Sequence, residues 1–292
     1  MSETVCVVIV TFNNAGMLEN LLQDLHTQNR PPDQIILIDN ASCDQTESMV
    51  KFGYPSIQYV KLFKNAGSAG GYHEGIRRAI DSGDFIYTLD DDVRLNPDTL
   101  SEILNGFHAL ERISPFRVGA VRSVGDKHPE RVPTRLAIFP WRGTLIKADV
   151  IREAGLPSPD YFLYGEDLEY SLRLAKKGYM FYWIPSSICR EGKRIQDGKR
   201  RAEVFGRQSI RYQDPFRLYY AFRNEIFIYL RYWSILKLLH TLLYAVKVML
   251  MILMAEGWTG RRALSAIARG LNDGLWGRLG ENRHYLPISG GK

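Results

Sequence analysis

Four short runs of β-branched and aliphatic residues, Val5 to Val10, Ile35 to Ile38, Ile57 to Leu62 and Phe85 to Leu89, recur with helical patterns between them. Continuous apolar runs of this length suit strands that are covered on both faces. Between the first two, Leu18, Leu21, Leu22 and Leu25 have helical spacing, and Pro31-Pro32 bars further helix. A glycine-rich turn from Asn65 to Gly71 leads into a second helix that runs to Ile80. Alternation of this kind predicts an α/β fold, a Rossmann-like, mostly parallel sheet flanked by helices. Ligands of such sheets bind outside the carboxyl ends of the strands. The polar clusters Thr11-Phe12-Asn13-Asn14, Asp39-Asn40-Ala41-Ser42 and Asp90-Asp91-Asp92 all fall there.

Beyond Arg112 the rhythm loosens, and prolines such as Pro115, Pro133 and Pro140 mark loops. Trp141 to Ile146 reads as a strand, with a short helix beginning at Lys147 or Asp149. A loop from Leu156 to Gly165 opens into a helix over Glu166 to Lys177, with Leu168, Leu172 and Ala175 on one face and Gly178 as its C′ residue. Past Arg211 the chain becomes aromatic and helical. The expected blocks are therefore 1–125, 126–222 and a helical extension over 223–292.

Three adjacent acids at the end of a buried strand repel one another and require a cation to stay ionised together. Asp90 and Asp92, spaced i and i+2 on one side of an extended chain, suit Mg2+ or Mn2+ that also takes diphosphate oxygens. The competing reading is a solvated turn into a helix, with Asn96 as N-cap and Pro97 at N1. Asp39 suits hydrogen bonding to a nucleobase or ribose, or the capping of a turn with Ser42 and Asp44. The segment from Asn65 to Gly75 lets backbone approach a ligand at a helix start, but it fits neither a Walker loop nor GxGxxG. Tight-turn geometry explains it equally. His73 reads as an ordinary helix residue. Glu166 and Asp167 begin a helix, where the dipole favours ionised carboxylates, and an ionised carboxylate beside an acceptor pocket serves as a general base.

Composition narrows the class. Apolar content of 45% and charged content of 24% argue against disorder and against a polytopic membrane protein. Cys6, Cys43 and Cys189 lack metal-ligand spacing and read as reduced, buried thiols in a cytoplasmic protein. No basic segment with an apolar run and cleavage site opens the chain, which predicts retention in the cytosol. Ten Lys or Arg against four acids between Arg190 and Arg223 account for the net charge of +6. Such a block suits anionic lipid or a pyrophosphate. Without base-stacking, helix-turn-helix or zinc signatures, nucleic acid is not the expected partner.

Taken in order, VxIVTFNN, IDNASCDQT, NAGSAGGYHEG, LDDDV, WRGTLI and YGEDLEYSLR, spanning Val5 to about Asn224, resemble the family-2 inverting glycosyltransferases of GT-A fold. Their order and spacing carry the resemblance, since each motif alone is weak. It implies that Thr11, Asn13 and Asp39 hold the nucleoside and that Asn65, Gly70 and Gly71 border the donor. Asp90 and Asp92 would flank Mn2+ or Mg2+, with Asp91 near the ribose or sugar. Trp141 and Gly143 would line the acceptor side, and Asp167 would be the catalytic base, assisted by Glu166. Many relatives carry a histidine metal ligand shortly beyond the base, where this chain reads Ile188-Cys189-Arg190-Glu191. Either Arg190 offsets diphosphate charge or the cation has fewer protein ligands. The resemblance is nearest to the galactofuranosyl- and rhamnosyltransferase branch of bacterial surface polysaccharide synthesis. It implies a nucleotide diphosphate sugar, UDP-galactofuranose ahead of dTDP-rhamnose, and a glycan or polyprenyl-linked acceptor.

Ile235 to Ala255 is long enough to span a bilayer, but Lys237, His240, Thr241, Tyr244 and Lys247 form a polar stripe along it. A helix lying in the interface fits that pattern, with Arg231, Arg261 and Arg262 suited to an anionic membrane surface. A buried homo-oligomer contact, or a helix packed on the catalytic domain, is the alternative. The expectation is a peripheral protein on the cytoplasmic face of the inner membrane. A nucleotidyltransferase would carry an Arg- and Lys-bearing glycine loop after the first strand, whereas a silent membrane scaffold would tolerate loss of Asp92 and Asp167.

Overall fold

The computed structural model describes residues 3–126, 131–192, 199–204 and 207–286, with the side chains of 199–204 and 207–213 outside that description. Most of the basic block expected between Arg190 and Arg223 therefore lies outside the described side chains. Two compact units emerge, Met1–Pro159 with Asp167–Arg194, and Asp160–Glu166 with Ile195–Lys292. Strands beyond residue 126 complete the same sheet as the N-terminal ones.

The first unit contains β1 (Val5–Thr11), α1 (Ala15–His26), β2 (Gln34–Asp39), α2 (Thr46–Gly53), β3 (Gln58–Lys61), α3 (Gly67–Ala79), β4 (Phe85–Asp90) and β5 (Val93–Leu95). There follow α4 (Thr99–Ile113), β6 (Arg117–Val124), β7 (Thr134–Leu136), β8 (Thr144–Lys147), α5 (Ala148–Ala154), α6 (Glu166–Lys176, its first residue in the other unit) and β9 (Tyr179–Glu191). The sheet order is β3-β2-β1-β4-β8-β6-β9-β5, with β7 on β9. β1, β2, β3, β4, β6 and β9 run one way, and β5, β7 and β8 oppose them.

Alternation along β1 builds both cores. Val5, Val7 and Ile9 pack with Leu18, Leu21 and Phe107 on one face, while Cys6 and Val8 join Ile36, Ile38 and Ile76 on the other. A strand buried on both sides has no solvent face, hence its unbroken apolar sequence.

Local corrections have local causes. Gly70 and Gly71 lie within α3 rather than in a turn, and a Cβ at Gly71 would come 2.5 Å from a Val10 methyl. Gly71 lets the helix lie directly on the sheet, whereas a Cβ at Gly70 would meet that of Ala66 at 2.5 Å. α4 starts after Asp98, not Asn96, whose carbonyl instead accepts from the Thr99 N–H. Trp141 to Gly143 is a turn, with Gly143 at φ +72° and the Thr144 N–H donating to the Trp141 carbonyl, so β8 begins only at Thr144. On α6 the buried residues are Glu166, Glu169, Tyr170, Ser171 and Leu174, while Ala175 is exposed.

The second unit holds the antiparallel hairpin β10 (Lys199–Val204) and β11 (Arg207–Gln213), then α7 (Pro215–Arg231), α8 (Ile235–Glu256) and α9 (Arg261–Leu275). Pro215 at N1 fixes the start of α7. α7 and α9 pack with backbones close together. A Cβ at Gly270 would lie 2.6 Å from the Tyr219 carbonyl oxygen, and one at Gly274 would lie 2.4 Å from that of Arg223.

On α8 the buried line is Thr241, Ala245, Val248 and Ile252, packed with Leu218, Phe222, Ala263 and Ile267. The expected polar stripe is split. Thr241 turns inward and donates to Glu225 at 2.9 Å, whereas Lys237, His240 and Tyr244 line a side cavity with Tyr229. The face opposite the buried line is apolar and exposed, comprising Leu236, Leu239, Leu243, Val246, Leu250 and Leu253. α8 is long and apolar enough to cross a membrane.

Candidate active site

At the carboxyl edge of β1 and β4, Asp91 is 6% exposed and accepts from the Thr11 hydroxyl at 2.7 Å, the Asn14 amide at 2.8 Å and the Phe12 N–H at 3.3 Å. Burial pushes its carboxyl up to about 6, against the pull of the Thr11 and Asn14 donors. Asp91 thus clamps the loop after β1.

The turn after β2 joins the same framework. Asp39, 0% exposed, accepts from the Ser42 N–H at 2.7 Å and the Tyr59 hydroxyl at 2.5 Å. Asn13, at φ +51°, accepts from the Cys43 N–H at 2.8 Å, and its own N–H donates to the Ser42 hydroxyl. Asn65 accepts from the Gly67 N–H at the start of α3. Asn40, unassigned in the sequence reading, receives the Ala66 N–H and donates to the Gly67 carbonyl. The rim around these turns is held by its own polar side chains.

Asp90 ends β4 and accepts from the Tyr72 hydroxyl at 2.6 Å. The Tyr72 ring stacks on Trp141 at 5.4 Å, and Trp141 meets Tyr170 of α6 at 5.3 Å. Trp141 is 3% exposed, and its indole N–H has no hydrogen-bond partner. A buried donor left in this state is costly without a ligand or water. Gly143, in the turn beside it, would bring a Cβ to 3.2 Å from the Cys189 sulfur.

Asp167 lies in the same unit as Asp90. Burial raises its pKa and the Asp90 charge adds to the rise, while N–H groups at the start of α6 and the Arg122 charge act against it. Glu166, 4% exposed, belongs to the second unit. The loop before it contains Phe162, Tyr164 and Gly165 at positive φ. Asn224 of α7 holds that loop by donating to the carbonyls of Tyr161, Leu163 and Tyr164 at 2.9, 2.9 and 2.7 Å.

Two arginines near Asp90 escaped the sequence reading. Arg122, on β6, lies 4.4 Å over the Trp183 ring; burial and then the Arg142 charge push its pKa down to about 10, with Asp90 opposing. Arg142 pairs with Glu191 and also feels Asp90. Cys189 is a buried thiol raised to about 12 by burial, whereas Cys43 is exposed, against the expectation of three buried thiols. Arg190 is turned to Asp126 at 3.0 Å. A lone arginine inside the apolar run of β6 was the available signal.

Among the described residues, no three His, Cys, Asp or Glu side chains gather as a protein cage for a metal. Asp90 and Asp92 offer a carboxylate pair. That is the donor set by which Mg2+ and similar ions are held when waters and substrate phosphates complete the shell, so the residues fit such a cation.

The sheet order, the acidic edge and the acidic start of α6 define a nucleotide-sugar transferase fold. Residues 6–157 match Glycosyl transferase family 2, residues 120–268 match Glycosyl transferase family group 2, and the chain belongs to glycosyl transferase family 2. It is similar to galactofuranosyltransferase GlfT1 of Mycolicibacterium smegmatis, 28% identical over 210 residues, 62% of this chain and 68% of the relative. It is also similar to N-acetylglucosaminyl-diphospho-decaprenol L-rhamnosyltransferase of Mycobacterium tuberculosis, 21% identical over 245 residues, 68% of this chain and 79% of the relative. The fold is shared with the mannosyltransferase PcManGT from Pyrobaculum calidifontis, solved with GDP-Man and Mn2+, at a TM-score of 0.60 and 16% identity, covering 95% of this chain and 88% of that one. This is the GT-A architecture with a C-terminal helical part.

Proposed function

We propose that this glycosyltransferase moves galactofuranose from UDP-galactofuranose to a polyprenyl-linked glycan acceptor, with inversion at the anomeric carbon. The observation that carries the reading is the electrostatic proximity of Asp167 to Asp90 beside the Tyr72–Trp141 wall. Asp167 takes the proton of the acceptor hydroxyl as that oxygen attacks the anomeric carbon, and the bond to the donor's diphosphate breaks. Asp90 and Asp92 would hold Mn2+ or Mg2+, which supplies positive charge for the leaving diphosphate when bound. Arg122 and Arg142 add fixed positive charge at the same edge. The turns carrying Thr11, Asn13, Asp39 and Asn65 shape the nucleoside side, with Gly71 bringing α3 close to β1 and Gly70 beside it at the donor border. Trp141 offers its unpaired N–H on the acceptor side.

The rhamnosyltransferase relative supports dTDP-rhamnose as the second reading of the donor. The exposed apolar face of α8 supports peripheral attachment to the cytoplasmic face of the membrane. A panel of nucleotide sugars with Mn2+ or Mg2+ and a lipid-linked acceptor, scored for nucleoside diphosphate release, tests the proposal. Turnover of UDP-galactofuranose is the expected result; turnover of dTDP-rhamnose alone overturns the donor.

A further inference from the structure

The second unit contains a cavity of about 620 Å³ between α7, α9 and the segment after α9. Four arginines, Arg223, Arg269, Arg278 and Arg283, face Asp273 and Glu281 across it. The charges are not equally committed. Arg223, 0% exposed, is held by the carbonyls of Tyr161 and Gly280 and by Asn224. Asp273 accepts from the Tyr219 hydroxyl at 2.8 Å and lies 3.5 Å from Arg278. Tyr219 in turn receives the Asn282 amide at 2.9 Å. These contacts fix the floor and use up the Asp273 charge. Arg269 and Arg283, by contrast, form neither an ion pair nor a hydrogen bond with any described residue.

Unpaired guanidinium groups lining a concave site suit an anion with several oxygens, and phosphate matches their planar donor forks. The surroundings indicate where that phosphate is attached. His284 lines this cavity and a second one of about 910 Å³, whose other residues include Trp258, Arg261, Arg262 and Tyr285. In the same unit α8 exposes its continuous apolar face, and Trp258 follows it at 74% exposure. Basic cavities edged by an exposed tryptophan, in a unit that also exposes a long apolar helix face, suit a lipid head at a membrane interface.

We propose that the cavity binds the terminal phosphate or diphosphate of a membrane lipid, with Arg269 and Arg283 as the principal donors. The inference rests on the reading that the acceptor is lipid-linked, and it assigns the lipid's anionic group to the second unit.

The test is co-sedimentation of the full chain with phosphatidylcholine vesicles carrying either a polyprenyl diphosphate or charge-matched phosphatidylglycerol. The wild-type chain is expected to prefer the diphosphate vesicles by about tenfold, the size of one charge-assisted hydrogen bond at the low end of its range. R269Q/R283Q should abolish the preference and R269K/R283K should restore part of it, with melting temperature and circular dichroism confirming that each variant folds. Equal binding of both vesicle types by the wild-type chain would overturn the proposal, as would a preference that survives R269Q/R283Q. Inorganic pyrophosphate is the soluble arm. If it binds as tightly as the lipid, the site takes a free phosphate compound and the lipid assignment fails. Because the readout is vesicle binding, absence of sugar transfer by the wild-type chain would count against the proposed function alone.

Discussion

The Thr11 hydroxyl donates to the Asp91 carboxylate at 2.7 Å across 80 residues of sequence, fastening the loop after β1 to the end of β4. Thr11→Val keeps the shape and removes the donor, leaving a buried carboxylate oxygen short of a partner. A loss of about 1–3 kcal/mol is expected, read as a lower urea midpoint at unchanged slope. Nucleotide affinity should fall with it, because the same loop carries Asn13. An unchanged midpoint would show that the contact contributes nothing.

Asp167 sets the pH prediction. Its pKa is raised by burial and by Asp90, so the carboxyl stays protonated, and unable to act as a base, to a higher pH than an ordinary aspartate. Transfer should therefore be lost as pH falls through a value above the usual range near 4, and recover as pH rises. Asp167→Asn should lower kcat by about 10²–10⁴ and remove that acid limb. A profile that keeps its limb in the variant assigns the base elsewhere.

Asp90 and Asp92 make the metal prediction. Chelation with EDTA should silence transfer, and added Mn2+ or Mg2+ should restore it. Asp92→Asn should raise the metal concentration needed for half activity. Full activity after exhaustive chelation would refute metal dependence.

Gly75 tests the packing of α3 on the sheet. A Cβ there would come 2.4 Å from a Val8 methyl, so Gly75→Ala should cost about 1–3 kcal/mol. Adding Val8→Ala opens the space, and the double variant should be more stable than the sum of the single losses predicts. Simple additivity in a double-mutant cycle contradicts the contact.

In the second unit, Gly274→Ala meets the Arg223 backbone carbonyl at 2.4 Å, closer than the Ile226 Cβ at 3.0 Å. No second substitution can relieve that contact, so α7 and α9 must part. Asn224→Ala leaves three carbonyls of the Asp160–Glu166 segment without their common donor. Limited proteolysis should cut that segment faster in Asn224→Ala, while Gly274→Ala should lower the melting temperature. Cleavage at the wild-type rate would mean that Asn224 does not hold the loop.

Much of the first unit was legible because its strands are covered on both faces, which writes them as unbroken apolar runs ended by polar residues. The same logic located Asp90, Asp91 and Asp92, since a strand's end fixes which residues reach the sheet edge. The antiparallel β8 was misplaced by a few residues, because a turn made by a positive-φ glycine resembles extended chain until its hydrogen bonds are known. Gly70 and Gly71 read as a turn for a similar reason: composition reports that a side chain is absent, not which neighbour requires the space.

Sequence by itself determined the strand–helix alternation, the acidic edge and the ordered motifs of the family, all of which depend on residues near one another in the chain. Tertiary structure alone decided that Asp91 is fastened to Thr11, that Arg122 and Arg142 share the field of Asp90, and that α8 turns an apolar face outward. Each of these joins groups distant in sequence, and the energies involved, desolvation, Coulomb interaction and close packing, depend on distance through space, which the order of residues does not contain.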